Sequence, residues 1–166
     1  IPDQLGILRT LTKWAARITT PAEAPDLIAE AFQQLASGRP QPVGLEVPPD
    51  VLATRTEVDL SPRMVMPRIP PIDHEQIEQA AKLLAKAKQP LIMVGSGAIM
   101  ASRSIQELAE LLQAPVVSGR SGHGILSSRH PLSLRLPEAH VLWPKVDVVL
   151  AIGTRLQAPL MNWGYD

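Results

Sequence analysis

Pro90-Leu91-Ile92-Met93-Val94-Gly95-Ser96-Gly97 decides the fold. A continuous apolar run after a proline, ended by a glycine turn, reads as a strand buried on both faces, as in a parallel sheet. The pattern returns at Pro115-Val116-Val117-Ser118 and at Asp147-Val148-Val149-Leu150-Ala151-Ile152, the latter closed by Gly153-Thr154-Arg155. Between the first two runs, Ser104 and Glu107 form a capping-box pair ahead of a helix whose inner face is Ile105, Leu108, Ala109 and Leu112. Ahead of the first run, Asp73 caps another helix, with Gln76 at the box position and Ile77, Ala80, Ala81, Leu84 and Ala85 as its apolar face. Strand, helix, strand, connection, strand predicts an α/β fold: three layers, with a parallel Rossmann-like sheet between helices.

Further upstream the grammar is similar but shorter. Pro21 to Ser37 reads as a helix with Gly38 as its C-terminal cap, and Val43 to Val47 as a strand stopped by Pro48-Pro49. Leu5 to Ile18 shows no sustained period. Asp59 to Ile72 carries Pro62, Pro67, Pro70 and Pro71, and reads as a semi-extended linker with Arg63 and Arg68 solvated. The expected organisation is therefore residues 1–58, a linker at 59–72, and residues 73–166.

Composition narrows the function classes. The chain has 166 residues, 45% hydrophobic, with sixteen Lys and Arg against sixteen Asp and Glu. That balance gives no support to nucleic-acid binding, which usually shows a basic excess. No apolar run approaches the roughly 20 residues of a bilayer span, so no membrane role is expected. With no cysteine, a disulfide framework, a thiol nucleophile and Cys-ligated zinc are excluded, which fits a cytoplasmic protein. The start at Ile1 and the stop at Asp166 read as those of a segment cut from a longer protein.

The chemistry-bearing residues gather at strand ends. Gly95-Ser96-Gly97 follows a buried strand and precedes a helix, where backbone N–H groups can approach a phosphate. The dinucleotide fingerprint is incomplete, because Met100 stands at its third glycine and the second strand ends in Ser118-Gly119 without an acidic residue. Two readings stay open: a tight turn needing no ligand, and a site for a nucleotide or another anion. Arg155 reads as a bidentate phosphate partner, or as a surface or interdomain arginine. His123, between Gly122 and Gly124, is the one histidine in a plausible functional loop, and His74 reads as exposed. No spacing suggests a metal site, and no G-x-S-x-G elbow is present. Glu46, alone in its strand, reads as an edge or interdomain contact. Trp14, Trp143 and Trp163 are too scattered for a stacking platform.

Both halves resemble one family in order. Gly38-Arg39-Pro40-Gln41-Pro42-Val43 and Leu45-Glu46-Val47-Pro48-Pro49-Asp50-Val51 resemble the end of the pyrimidine-binding domain of thiamine diphosphate-dependent enzymes. The second half resembles their central domain. It does so at Ala80 to Leu84, Pro90 to Gly97, Ala114 to Val117, Gly122-His123-Gly124, His130 to Leu134 and Asp147 to Leu156. The group most similar is that of acetolactate synthase, glyoxylate carboligase and benzoylformate decarboxylase.

The resemblance implies a truncated central domain, incomplete at its C-terminus, behind the tail of the preceding domain. It implies thiamine diphosphate and Mg²⁺ for the whole enzyme, with their main sites outside this segment. The implied substrate is a 2-oxo acid, decarboxylated or transferred to a second carbonyl, in a homo-oligomer, dimer or tetramer. Alone, the segment is expected to be inactive. Relatives of this kind hold FAD, ADP or nothing in the central domain. By resemblance, Gly95, Ser96, Gly97, Ser118, Gly119, Gly153, Thr154 and Arg155 match the nucleotide-contacting positions. The family's G-M-H-G loop has no counterpart, and Gln157-Ala158-Pro159 stands where acetolactate synthases carry D-D-R. The rival expectation is a free-standing regulatory module binding FAD, ADP or NAD.

Overall fold

The structure, a computed structural model, describes residues 2–163, apart from the side chains of residues 158, 160 and 161. The chain divides between Ile72 and Asp73 into two units.

In the first unit, α1 (Gln4–Leu11) leads to β1 (Trp14–Arg17), α2 (Ala24–Ala36), β2 (Val43–Glu46) and α3 (Pro49–Ala53). The Asp3 carboxylate starts α1 by accepting the Gly6 N–H at 2.8 Å. A 3₁₀ turn over Pro21–Glu23 precedes α2, so the α-helix proper begins three residues later than its periodicity suggests. Gly38, at φ +58°, lies beyond the C-cap Ser37, as a terminating glycine should. β1 and β2 pair in parallel, with Trp14 opposite Val43 and Arg17 opposite Glu46. α1 and β1 fall inside the stretch without a readable period. They are short, and two alanines in a four-residue strand give no β-propensity signal.

Residues 54–73 form no helix or strand. The two arginines there are not simply solvated, as the sequence suggested. Arg63 Nε donates to Asp26 at 2.7 Å and its Nη1 donates to the Ser61 carbonyl, while Arg68 reaches Glu30 at 3.4 Å. Both partners lie on one face of α2, four residues apart, so the extended segment lies along that helix.

The second unit runs α4 (His74–Lys86), β3 (Pro90–Val94), α5 (Ser102–Leu112), β4 (Val116–Ser118), β5 (Ser133–Leu134), α6 (Leu136–Leu142), β6 (Val148–Ile152) and α7 (Gln157–Asn162). The four strands pair in parallel in the order β5-β4-β3-β6. Alternation along β3 shows why its sequence is continuously apolar. Ile92 and Val94 face a cluster with Ile105 and Ala109 of α5 and Val116 of β4. Leu91 and Met93 face a second cluster with Val117, Ala139 of α6 and Trp163. Each face of the strand has its own apolar layer, so no polar alternation is tolerated. The α/β class, the parallel sheet and the three layers are as the sequence predicts.

Two helix starts differ in detail. Asp73 caps α4, its carboxylate accepting the Gln76 N–H at 3.0 Å. The Ser104–Glu107 capping box does not form. α5 begins at Ser102 out of a 3₁₀ segment, Ser96–Ala101, and Glu107 instead pairs with Arg103 one turn back. β5, two residues long, is too short to carry a sequence pattern and exists because β4 offers it an edge.

Candidate functional site

In the order β5-β4-β3-β6, the chain leaves β3 for β4 on one side and returns as β6 on the other. Ligands of open α/β sheets bind at the carboxyl end of such a reversal. Gly95 follows β3 and Gly153 follows β6, so two glycine turns stand side by side there. Ser118 and Gly119 end the neighbouring β4.

The two turns are packed against each other. A Cβ on Gly95 would fall 2.8 Å from Thr154 Cα and closer still to the Gly153 carbonyl, and one on Gly97 would fall 2.9 Å from Gly153 Cα. Gly153 itself sits at φ +58°, and a Cβ there would lie 2.6 Å from Gly97 Cα. Gly122 closes the other side, where a Cβ would reach the Val94 carbonyl at 2.8 Å. These glycines permit backbone contact between three loops.

Their amides are already engaged. The Gly95 N–H donates to the Ile152 carbonyl at 3.0 Å, Gly97 to Gly153 at 3.1 Å, and Gly119 to Val94 at 3.1 Å. None of the three remains to cradle a phosphate. The exposed groups of the rim are Ser96, Gly97, Gly153 and Arg155, with Ser118, Gly119 and Thr154 half-buried behind them. Arg155 makes no ion pair among the described residues. The Thr154 hydroxyl accepts the Leu156 N–H at 3.2 Å and fixes the exit of the turn. Beside Gly119 a Cβ would meet only the Val94 carbonyl, at 3.8 Å, so this is the open flank of the edge.

The other candidates resolve locally. Glu46 pairs with Arg17 directly across the β1–β2 ladder, at 2.8 Å, which is an edge contact. His74 and His123 are both exposed. His130 joins Glu110 at 3.1 Å and accepts the Leu132 N–H on Nδ1 at 3.2 Å, pinning the segment before β5 to the end of α5. The Gln106 amide, and behind it His130, hold the Glu110 carboxyl below the usual carboxylate range. His140 stacks on Trp163 at 5.3 Å, and Trp143 meets the same ring edge-on at 5.1 Å. So Trp143 and Trp163, which look scattered in sequence, form a packed pair near the second apolar layer. Among the described residues, no three His, Cys, Asp or Glu side chains converge as metal ligands would.

Asp147 is a residue whose part the sequence did not signal. Its carboxylate accepts the Lys88 N–H at 2.7 Å and the Gln89 N–H at 3.0 Å. These bonds, the Lys88 one foremost, hold its pKa below the ordinary aspartate range. They tie the exit of α4 to the start of β6.

Comparison with known proteins covers the same unit. Residues 77–163 match the family model of the thiamine pyrophosphate enzyme central domain. The chain is 32% identical to a probable acetolactate synthase large subunit of Methanococcus aeolicus, over 92% of this chain and 28% of that protein. It is 31% identical to the acetolactate synthase isozyme 1 large subunit of Escherichia coli, over 92% and 28%. It is 35% identical to an acetolactate synthase of Arthrospira platensis, over 98% and 31%. The chain thus spans under a third of the length of these relatives. The match covers the unit that carries the parallel sheet and its paired glycine turns, and on that ground the chain belongs to the thiamine pyrophosphate enzyme family, with residues 77–163 as its central domain.

Proposed function

We propose that this chain is the central scaffold of a thiamine diphosphate- and Mg²⁺-dependent enzyme of the acetolactate synthase kind, one that decarboxylates a 2-oxo acid or transfers the resulting fragment to a second carbonyl. The observation that carries this reading is the paired glycine edge. Its amides hold neighbouring turns together, which is the work of a rigid support.

The cofactor itself does not fit the described residues. A Mg²⁺–diphosphate group needs converging oxygen ligands, and none converge here. Glu46, engaged by Arg17, is not its activating carboxylate. The chemistry belongs to other parts of the full-length enzyme, and these 166 residues are inactive by themselves. No helix among the described residues is long and apolar enough to cross a membrane. The proposed setting is a cytoplasmic homo-oligomer.

The rim at Gly95, Ser96, Gly97, Ser118, Gly119, Gly153, Thr154 and Arg155 is the proposed contact for a nucleotide, ADP or FAD. Because the glycine amides are engaged, the contact runs through the Ser96 and Ser118 hydroxyls, the open flank at Gly119 and the Arg155 guanidinium. Calorimetric titration of the purified chain with ADP and with FAD tests this. Saturable binding of one of them is expected, weakened roughly tenfold or more by Arg155→Ala, as loss of a charge-assisted hydrogen bond requires. No heat from either nucleotide, or affinity indifferent to Arg155, removes the nucleotide from the account.

A further inference from the structure

One stripe of α2 holds the segment that follows α3. Asp26, Glu30, Gln33 and Ser37 stand four, three and four residues apart, the spacing that lines up one face of a helix. Asp26 accepts from Arg63 Nε at 2.7 Å, and Glu30 from Arg68 Nη2 at 3.4 Å. Gln33 Nε2 donates to the Met66 carbonyl at 3.0 Å, and the Ser37 hydroxyl accepts the Arg68 N–H at 2.8 Å. Two of these contacts take arginine side chains and two take the backbone of the segment itself.

The lengths agree. The helical rise from Asp26 to Ser37 is about 16.5 Å, at 1.5 Å per residue. The chain from Arg63 to Arg68 spans about 16.5–18 Å only when fully extended. Proline enforces that extension, because Ser61 and Met66 precede Pro62 and Pro67 and are kept out of the helical region. Pro67 has no N–H to offer, and the two backbone contacts fall on either side of it. Upstream, Asp59 accepts the Ser61 N–H at 2.8 Å, and Arg63 Nη1 donates to the Asp59 and Ser61 carbonyls. The Arg63 side chain is therefore only 25% exposed. Downstream, Ile69-Pro70-Pro71-Ile72 is exposed throughout.

We propose that residues 59–68 are a releasable strap, clasped by α2 in one register, and that the clasp sets the length of free chain between the two units. Clasped, the free chain is residues 69–72, which reach about 14 Å at most; released from Asp59 onward, it reaches about 50 Å. Exposed ion pairs are individually weak and screened by salt. The aligned contacts give the strap a register, and their exposure lets it open.

Trypsin reads the clasp, because it cuts after arginine and cleavage tracks the opened state. Initial cleavage rates after Arg63 and Arg68 are measured by mass spectrometry in the full-length protein, with a synthetic peptide of residues 54–72, which has no α2, as the reference. At low salt both bonds are expected to be cut at least about tenfold more slowly in the protein than in the peptide. Asp26→Asn should raise cleavage after Arg63 about tenfold, as loss of a charge-assisted hydrogen bond requires. NaCl at about 1 M should act on the unmodified protein at the same bond. Ser37→Ala should raise cleavage after Arg68 more than after Arg63. Cleavage after the exposed Arg55 should be the same in both variants as in the unmodified protein. Rates as fast in the protein as in the peptide overturn the proposal. So does slow cleavage that neither the variants nor salt alter, or a rise that Arg55 shares. Cleavage is read without substrate, so the outcome is independent of whether the full-length protein turns over a 2-oxo acid.

Discussion

Gly153→Ala is expected to cost the second unit about 3–5 kcal/mol, the sum of two penalties. The backbone at Gly153 lies at φ +58°, where an L side chain is strained. The added methyl would also fall 2.6 Å from Gly97 Cα and against the Ala98 amide. These are main-chain atoms of a turn that itself bonds to Gly153, so the clash has no flexible partner to absorb it. Gly124→Ala separates the two penalties. Gly124 has φ +93° with nothing within 4 Å of the new methyl, so only the conformational cost of about 1–3 kcal/mol applies. Both variants can be followed by urea unfolding, read from far-UV circular dichroism. A Gly153→Ala loss no larger than that of Gly124→Ala would show that the two turns are not in contact.

Ile92→Ala is expected to cost about 2–5 kcal/mol, the range for large-to-small substitutions in a closed core. Ile92 is 0% exposed. It stands in an interior strand, level with Val116 of β4 and Leu150 of β6. Its side chain packs with α5 residues that are themselves buried, so the cavity cannot collapse toward solvent. Since a small domain holds only about 5–15 kcal/mol in total, the midpoint of unfolding should fall sharply while the denaturant slope stays unchanged. Met100→Ala, at a side chain 97% exposed, should shift stability by no more than about 0.5 kcal/mol. If the two variants matched, Ile92 would not be at the centre of the core.

The parallel sheet was legible because burial on both faces forbids polar residues. Pro90–Val94 therefore announces itself without any help from distant residues, and Val148–Ile152, half-buried with Ala151 exposed, shows the same apolar run. The elements that escaped notice depend on tertiary context. β1 contains two alanines and is a strand because β2 pairs with it, and β5 is two residues beside β4. Ser104 and Glu107 carry the right residue types for a cap, but the 3₁₀ segment over Ser96–Ala101 feeds α5 from two residues earlier. At the candidate site, the gathering of Gly95 and Gly153 followed from their places at strand ends. What the sequence leaves open is whether such glycines face a ligand or each other. The distances between the turns, and the carbonyls that take their amide hydrogens, show the glycines packed against each other, which leaves Ser96, Ser118 and Arg155 as the groups of the rim proposed to meet a nucleotide. The part of Asp147 was hidden for the same reason, since its partners lie 58 and 59 residues away in the chain.

These residues are proposed to support a reaction whose working groups lie on other parts of a longer polypeptide. This proposal is tested most directly by assaying release of CO₂ from pyruvate, with thiamine diphosphate and Mg²⁺ supplied, for the 166-residue chain and for the full-length protein in parallel. Turnover is expected from the full-length protein and none from the chain alone. Turnover by the isolated chain, or its absence from a folded full-length protein offered pyruvate and other 2-oxo acids, would contradict the proposal.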